Sequence, residues 1–340
     1  MFCFAELVLE HGRKHKMTVT REHTLGLAGT TVPLPCFFPS VSSVKTNLLP
    51  VDYVELLAAA AHPLYLVSAY DIANSCPEHQ QRIRCAIGQS RTKGSAILLD
   101  SGNYEGFWKG SVDWNADGFH AVSSAYEHDI GFCYDNQAPP NTPDAISEDV
   151  VRGVLRDQEH SLGTIVPIVH GPTDLLPAAV QKVAEQLYPV LLAVPERALG
   201  EGIVARTRSV RRIRRALDEL GFYCPLHLLG TGNPISIIAY AMAGADSFDG
   251  LEWCQTVVDH ETALLLHFQQ WDFVRKQTEW GSNGTLPYIQ SALMHNLDFY
   301  TTFMRRLQEA MQQCTLHEIL ATFLPGARGE IIRNAIEGGE

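Results

Sequence analysis

The sequence predicts an α/β fold in which eight parallel strands close into a (β/α)₈ TIM barrel. Two observations predict this class. Eight short apolar, β-branched or aromatic runs recur along the 340 residues, and helical patterns separate most of them. Strands that alternate with helices form parallel βαβ units, and eight such units can close into a barrel. An open, doubly wound sheet is the alternative architecture.

The elements are expected in the following order. The N-terminal segment, residues 1–31, alternates polar and apolar residues around His11-Gly12-Arg13, which predicts an antiparallel hairpin on the barrel floor. The barrel is predicted over residues 32–284. Its strands are expected at residues 35–39, 64–68, 96–100, 130–135, 165–169, 190–194, 226–229 and 245–249. The helical patterns between them lie at residues 51–61, 177–187, 209–220 and 234–243.

The C-terminal segment, residues 285–340, is predicted to be mainly helical because large apolar side chains repeat there at helical spacing. These side chains are Leu293, Leu297, Tyr300 and Met304. No internal repeat or low-complexity linker divides the chain, so residues 1–340 are expected to form a single domain.

Composition excludes several classes of protein. With 46% hydrophobic and 19% charged residues, the chain can bury a large core. It has neither an apolar run of the ~18 residues that suggest a membrane span nor a secretory leader, so a cytoplasmic protein without membrane contact is expected. The eight cysteines form no C-x-x-C pair, which argues against a disulfide framework. A net charge of −12 argues against coating nucleic acid by bulk electrostatics but allows a local basic patch.

Polar side chains end or follow four of the predicted strands. They are Asp100, Asp135, His170 and Asp249. In a barrel the active site lies at the carboxyl ends of the strands, so these side chains are expected to share one site. Asp100 and Asp249 suit a displacement at a sugar carbon, in which one carboxylate attacks and the other moves protons. The alternative is that Asp100 caps the next helix and Asp249 pairs with a cation.

A series of longer motifs runs through most of the chain. They are His11-Gly12-Arg13, Asp100-Ser-Gly-Asn-Tyr104, Tyr134-Asp135, Ile168-Val-His170-Gly171, Ala198-Leu-Gly-Glu201, His227-Leu-Leu-Gly-Thr-Gly-Asn-Pro234, Gly244-Ala-Asp-Ser-Phe-Asp249 and His295-Asn-Leu-Asp-Phe-Tyr300. In these motifs and in their order, the chain resembles the tRNA-guanine transglycosylases and their DNA-modifying relatives. Enzymes of this family replace guanine in a nucleic acid by a 7-deazaguanine.

The resemblance implies a base-exchange glycosyltransferase and assigns roles position by position. Asp249 matches the nucleophile that attacks C1′ of the target nucleotide and forms a covalent glycosyl-enzyme. Asp100 matches the residue that handles the proton on the leaving and incoming bases. Two successive displacements of this kind retain the configuration of the sugar.

The base pocket is implied in the same way. Tyr104 matches the aromatic residue that stacks on the base, and Asp135 matches the carboxylate that binds its guanine-like edge. His170 stands where the tRNA enzymes carry a glutamine, and Glu201 belongs to a loop expected to line the pocket. The alternative for Tyr104 is a lid that packs on the barrel rim.

The chain departs from the family pattern near the nucleophile. The tRNA enzymes carry Pro-Thr-Arg directly after it to grip the anticodon loop, whereas Asp249 is followed by Gly-Leu-Glu-Trp-Cys-Gln255. Pro195-Glu196 replaces two glycines that contact the base, which leaves open which base enters. Glu196 either binds an exocyclic amine or faces solvent. The lost Pro-Thr-Arg segment, the absence of the family's Cys-x-Cys-x-x-Cys cluster and the expectation that no RNA-binding domain follows the barrel together favour DNA as the polymer.

The family's zinc site is incomplete in this sequence. His295 stands at the position of the family's histidine ligand, but the Cys-x-Cys-x-x-Cys cluster is absent. Zinc needs about four close ligands. Cys254, His260 and His267 could join His295 to supply them, but their spacing fits no standard motif. No cofactor is therefore expected to be required, and a zinc site is left open with His295 as its candidate ligand. The alternative for His295 is a histidine packed at a helix contact.

Arginines crowd one stretch after the sixth predicted strand. They are Arg206, Arg208, Arg211, Arg212, Arg214 and Arg215. This basic run predicts contacts with nucleic-acid phosphates, and the alternative is a solvated helix face offset by Asp218 and Glu219.

The sequence thus predicts a transglycosylase that inserts a preQ₀-like 7-deazaguanine, with DNA favoured over tRNA as the nucleic-acid partner. A homodimer or an accessory protein that opens duplex DNA are further partners to consider, because the enzyme is acidic and its target base must be unpaired. Two other functions stay open at this point. One is a non-catalytic barrel subunit that binds a base or a partner, and the other is an unrelated barrel enzyme that acts on a small sugar.

Overall fold

Eight parallel strands form the centre of the protein in the computed structural model, which describes residues 20–27, 29–44, 46–111, 113–282, 284 and 286–338. The strands are β3 (Cys36–Val41), β4 (Leu64–Ser68), β5 (Ala96–Asp100), β6 (Ile130–Phe132), β7 (Thr164–Val166), β8 (Leu192–Pro195), β9 (Leu226–Leu229) and β10 (Ser247–Gly250). From β3 to β7 and from β8 to β10 each strand pairs with its neighbour in chain order, and β10 pairs with β3. All eight predicted strands are confirmed to within a few residues.

The sheet closes between β7 and β8. Ile168 and Ala193 form a parallel bridge there. The Val169 amide donates to the Ala193 carbonyl, and the Ala193 amide donates to the Pro167 carbonyl, both over 2.9 Å. These bonds pair the last edge of the sheet, so the fold is a barrel and the open-sheet alternative is wrong.

Helices cover the outside of the barrel and continue beyond it. They are α1 (Pro50–Ala59), α2 (Ala69–Ala73), α3 (Pro77–Thr92), α4 (Asn103–Lys109), α5 (Ala116–Ser123), α6 (Pro143–Gln158), α7 (Leu176–Leu187), α8 (Gly202–Leu217), α9 (Pro234–Ala243), α10 (Glu252–Gln255), α11 (Trp271–Val274), α12 (Tyr288–Gln312), α13 (Leu316–Phe323) and α14 (Ala327–Glu337). Short 3₁₀ turns lie at Glu196–Leu199, Phe268–Gln270, Arg275–Gln277 and Glu279–Gly281. A small antiparallel pair, β11 (Thr256–Val258) and β12 (Leu265–His267), follows the barrel.

Helix α8 begins at Gly202, earlier than the predicted start at residue 209. Its first two turns are rich in arginine, so the apolar periodicity that marks a helix is weak there. The buried side chains Thr207, Val210 and Ile213 nevertheless lie on one face, at spacings of three residues.

An N-terminal hairpin is confirmed for the part of the chain that the structure describes. Strands β1 (Thr24–Leu27) and β2 (Thr30–Pro33) pair in antiparallel register, and His11-Gly12-Arg13 lies outside the described residues. The Arg21 guanidinium donates to Asp246, which directly precedes β10, over 2.9 Å. Since this is the amino end of a barrel strand, the hairpin lies at the barrel floor, as predicted.

The C-terminal helices pack on the barrel through α12. The predicted stripe of Leu293, Leu297, Tyr300 and Met304 is buried along this helix. Tyr300 stacks on Phe37 of β3 with ring centroids 4.3 Å apart, and its hydroxyl donates to the Gly232 carbonyl. Each such large apolar side chain stabilises the fold by about 1.5–3 kcal/mol. Among the described residues, no helix is both long and apolar enough to cross a membrane.

Candidate active site

A pocket of about 360 Å³ opens at the carboxyl ends of the barrel strands. Asp100, Asp135, His170 and Asp249 all line it, although they come from four different strands or strand ends. The parallel barrel brings them together because each strand delivers its last residues to the same rim. The shared site expected from the sequence is therefore present in the fold.

Asp249 lies on β10 and is buried, with both carboxyl oxygens held by donors. The Ser40 hydroxyl donates to Oδ2 over 2.7 Å, and the Gly230 amide donates to Oδ1 over 2.9 Å. The third partner is the ring of His227, whose Nε2 lies 3.1 Å from Oδ1. Among the described residues, His227 is the only basic side chain that pairs with Asp249. The carboxyl group is thus fixed in orientation at the pocket wall.

His227 connects Asp249 to the barrel interior. Its ring is fully buried, and Nδ1 lies 2.8 Å from the Ser247 hydroxyl. Because a carboxylate only accepts hydrogen bonds, Nε2 carries the proton that faces Asp249, and in the neutral ring Nδ1 accepts from Ser247. The Cys36 thiol in turn donates to the Ser247 oxygen over 3.4 Å. His227 belongs to the His227-to-Pro234 sequence motif, but its position in the sequence does not predict a contact with Asp249.

Asp100 ends β5 in a very different environment. Its Oδ2 accepts from the Gly102 amide over 2.9 Å. Burial raises the pKa of Asp100 well above its ordinary value, and the nearby carboxylates Glu105, Asp135 and Asp249 raise it further. This environment stabilises the protonated form more than water does, which suits a group that gives a proton to a leaving base. Asp100 thus accepts a bond at the start of α4, as the capping alternative expects, and also lines the pocket, as a catalytic role requires.

Glu105 is a buried carboxyl group behind Asp100 that sequence reasoning missed. It lines the pocket and accepts from the Ser42 hydroxyl over 2.6 Å and from the Ser68 hydroxyl over 2.9 Å. Burial raises the pKa of Glu105 to about 7, and the charge of Asp71 contributes. The only sequence signal was its place in the first turn after the Asp100 motif.

Asp135 follows β6 and faces His170, which follows β7. His170 Nε2 hydrogen-bonds Asp135, and the Asn103 side-chain amide donates to Asp135 Oδ1 over 2.7 Å. Burial raises the pKa of Asp135, but the hydrogen bond and charge of His170 and the bond from Asn103 outweigh it and leave the pKa lowered. An ionised carboxylate accepts hydrogen bonds, and the amine and ring N–H on the guanine edge are donors.

Tyr104 stands at the mouth of the same pocket. It belongs to the first turn of α4, lines the pocket and is 41% exposed. A lid packed on the rim would be largely buried, so its exposure favours an accessible ring that a base can reach.

Glu201 is not brought into the pocket. It is exposed at the N-cap of α8 and is not among the described residues that line the pocket. Glu196 is the carboxylate that reaches the pocket on this side, since it accepts from the Tyr240 hydroxyl over 2.9 Å and pairs with Arg206 over 3.0 Å. Glu196 therefore does not merely face solvent.

The basic run after β8 divides into three environments along α8. Arg206 lines the pocket in its pair with Glu196, while Arg214 is buried against Asp218 and Asp246. Arg208, Arg211, Arg212 and Arg215 lie further along the helix, and of these only Arg211 is half-buried rather than exposed. Because a helix rises about 1.5 Å per residue, Arg215 lies roughly 13 Å beyond Arg206, away from the rim. The run is therefore not one surface around the pocket mouth, and Arg214 belongs to the fold.

The side chains around His295 do not fit a zinc ion. His295 Nε2 lies 2.8 Å from the Val258 carbonyl, which can only accept, so Nε2 is protonated and Nδ1 faces the Thr278 hydroxyl at 3.0 Å. Both ring nitrogens are thus engaged, and burial lowers the pKa of His295 to about 4. The Cys254 thiol donates to the Leu251 carbonyl. Among the described residues, no three His, Cys, Asp or Glu side chains are placed to hold a metal ion.

Two further pocket residues had no clear sequence signal. Glu252 lies two residues beyond β10, and burial raises its pKa to about 7. Arg197 is exposed at the mouth and donates to the Gln137 side chain over 2.5 Å. Together they show that the short helical segments after β8 and β10 supply charged groups that strand patterns do not predict.

Comparison with known proteins finds relatives of one kind. No family model matches the chain. Three curated proteins, each named tRNA-guanine(15) transglycosylase, are similar to it: those of Thermococcus onnurineus (24% identical over 67% of this chain and 40% of that protein), Haloferax volcanii (21% over 91% and 62%) and Haloarcula marismortui (24% over 70% and 48%). The chain thus spans about half the length of the curated relatives it matches.

Proposed function

Because the chain belongs to the tRNA-guanine transglycosylase superfamily, we propose that it exchanges guanine in a nucleic acid for a free 7-deazaguanine base. The observation that carries the proposal is the pair of carboxyl groups in one pocket. Asp249 is held by three donors, whereas Asp100 is buried among other carboxylates that favour its protonated form. Two carboxyl groups in contrasting environments suit separate roles as nucleophile and acid.

The reaction proceeds in two displacements. Asp249 attacks C1′ of the target nucleotide as the bond from C1′ to the base nitrogen breaks, and Asp100 gives its proton to the departing guanine. Asp100 then takes a proton from the incoming base, whose nitrogen attacks C1′ and releases Asp249. The oxocarbenium-like sugar is stabilised by the adjacent carboxylate, and the configuration at C1′ is retained.

The base is bound by the residues opposite Asp249. Asp135 accepts hydrogen bonds from the guanine-like edge, and His170 and Asn103 hold that carboxylate in place. Tyr104 stacks on the extruded base at the mouth. Glu196 lies in the same pocket, where its carboxylate is positioned to accept from an exocyclic amine of the base.

The proposed polymer is DNA, and tRNA is the second candidate. DNA is supported by the Gly-Leu-Glu-Trp sequence after Asp249, which replaces the segment that grips the anticodon loop in tRNA enzymes, and by the zinc-ligand cluster that the sequence lacks. The names of the three relatives, all tRNA enzymes, support tRNA. A base such as preQ₀ is the proposed incoming substrate in either case.

The proposal is tested by incubating the purified protein with labelled guanine or labelled preQ₀ and either total DNA or total tRNA. Label in one polymer that is absent with Asp249→Asn establishes the exchange and identifies the polymer. Asp272→Asn, an exposed aspartate on α11, is the matched control. If neither base enters either polymer, the transglycosylase proposal fails and a non-catalytic barrel subunit becomes the better explanation.

A further inference from the structure

Helix α4 presents three aromatic side chains to solvent beside the pocket mouth. Tyr104, Phe107 and Trp108 are 41%, 70% and 53% exposed. Trp108 meets Tyr104 with ring centroids 6.2 Å apart and Phe107 with centroids 5.9 Å apart, both edge to face. We call these three residues the α4 aromatic surface. It is continuous with the pocket because Tyr104 lines both.

The α4 aromatic surface lies opposite the buried side of its helix. Helix α4 is held from its other side, where Glu105 and Gly106 are buried. Gly106 lies so close to Trp114 that an added Cβ would meet the indole at 3.2 Å. Residues three and four apart share one face of a helix, about 5–6 Å from each other, so Tyr104, Phe107 and Trp108 form a single outward face. Exposed apolar groups in one patch usually mark a contact with a partner.

The charges around the pocket indicate what kind of partner fits. Six carboxyl groups line it, and its only lysine or arginine side chains are Arg197 and Arg206 among the described residues. Arg206 is already paired with Glu196. The pocket lining itself therefore offers nucleic-acid phosphates little attraction, and most of the affinity for a strand has to come from another source. Stacking of bases on aromatic rings supplies it without regard to charge.

We propose that the α4 aromatic surface binds the unpaired bases next to the target nucleotide. Tyr104 takes the base that enters the pocket, and Phe107 and Trp108 stack on the neighbouring bases of the same strand. Lys109, which is exposed at the end of α4, contacts the phosphates beside them. The proposal rests on the proposed function, because it takes the pocket to be the site that accepts an extruded base. It implies that the chain prefers single-stranded or opened nucleic acid.

The test compares the double variant Phe107→Ala/Trp108→Ala with Phe273→Ala, which removes an 80% exposed ring far along the chain on α11. Affinity for a short labelled single strand of DNA or RNA is measured by fluorescence anisotropy. Loss of a stacking ring is expected to weaken binding roughly 5- to 150-fold, with no effect of Phe273→Ala. The single variant Trp108→Phe keeps an aromatic ring at residue 108 and leaves Phe107 in place. It is expected to retain most of the affinity of the original chain. In base exchange, the double variant raises KM for the strand and leaves kcat unchanged.

Three results distinguish the explanations. Unchanged strand affinity and unchanged KM in the double variant, with exchange intact, would overturn the surface but leave the proposed function standing. A change in self-association by light scattering, with strand affinity unchanged, would also overturn it and assign the surface to contacts between copies of the chain. Strand binding that needs Phe107 and Trp108, but with no base exchanged in either polymer, would support the surface and remove the transglycosylase.

Discussion

His227 is the residue that ties the proposed nucleophile to the barrel interior. It reaches Asp249 with one ring nitrogen and Ser247 with the other, and its ring packs against Phe132 at 5.1 Å between centroids. A fully buried imidazole held at three points has little freedom to turn. The orientation of Asp249 therefore depends on a side chain that never reaches the pocket surface.

Replacing His227 with glutamine is expected to slow base exchange by lowering kcat about 100-fold, since a small misplacement of a reacting group has an effect of that size. KM for the strand is expected to change little, because Tyr104 and Asp135 are left intact. Steady-state kinetics measures both parameters. His317→Gln, an exposed histidine on α13, is the control. An unchanged kcat would show that Ser40 and Gly230 alone orient Asp249.

At the scale of secondary-structure elements, α12 and the β11–β12 pair are held together by histidines and aromatic rings. The ring of His295 lies 4.1 Å from that of His260 and 4.6 Å from that of Trp271, measured between centroids. The Asn296 side chain adds three hydrogen bonds from α12 to the backbone of residues 253–258. These contacts occupy the region where the sequence resemblance had left a zinc site open.

We predict that a chelator leaves the thermal unfolding midpoint unchanged, because His295 already uses both ring nitrogens within the protein. The thermal unfolding midpoint is measured with and without EDTA, and the zinc content of the purified chain is determined beside it. A structural zinc contributes folding free energy outright, so its removal would lower the midpoint. One zinc per chain, or a lowered midpoint in EDTA, would contradict the prediction.

For the whole molecule, the buried carboxyl groups of the pocket couple stability to pH. Burial raises the pKa of both Glu105 and Glu252 from 4.5 to about 7 in the folded chain. Below about 4.5 these groups are protonated in both states. Between about 4.5 and about 7 the unfolded chain loses protons that the folded chain keeps, so the free energy of unfolding falls as pH rises.

Urea unfolding at about pH 5 and about pH 7.5 checks this expectation. These two groups are predicted to make the free energy of unfolding larger at the lower pH than at the higher pH. Glu105→Gln is predicted to reduce this difference in the free energy of unfolding. Glu148→Gln, an exposed glutamate on α6, is the control. A pH difference that is the same in the original chain and in Glu105→Gln would show that Glu105 ionises in the folded state as it does in the unfolded chain.

The assembly of the site at one rim explains why the sequence predicted its catalytic carboxylates and not its charged surroundings. Asp100 and Asp249 end apolar runs, and that local pattern is enough to place them at the carboxyl ends of strands. Glu105 and Glu252 lie in the short helices α4 and α10, which follow β5 and β10. The local sequence pattern there does not show which side chains point into the pocket. Glu201 illustrates the opposite error, since it belongs to a rim loop but remains in solvent.

The sequence by itself determined the eight strands, the buried stripe of α12 and the four strand-end groups of the pocket. Hydrophobic periodicity reports which residues avoid water, and that information is local along the chain. Only the tertiary structure decided that β7 meets β8, that Arg206 turns to the pocket while Arg214 is buried at the floor, and that His227 holds Asp249. These contacts join residues distant in sequence or on different faces of one helix. Their partners are selected by the closure of the barrel, which no local pattern encodes.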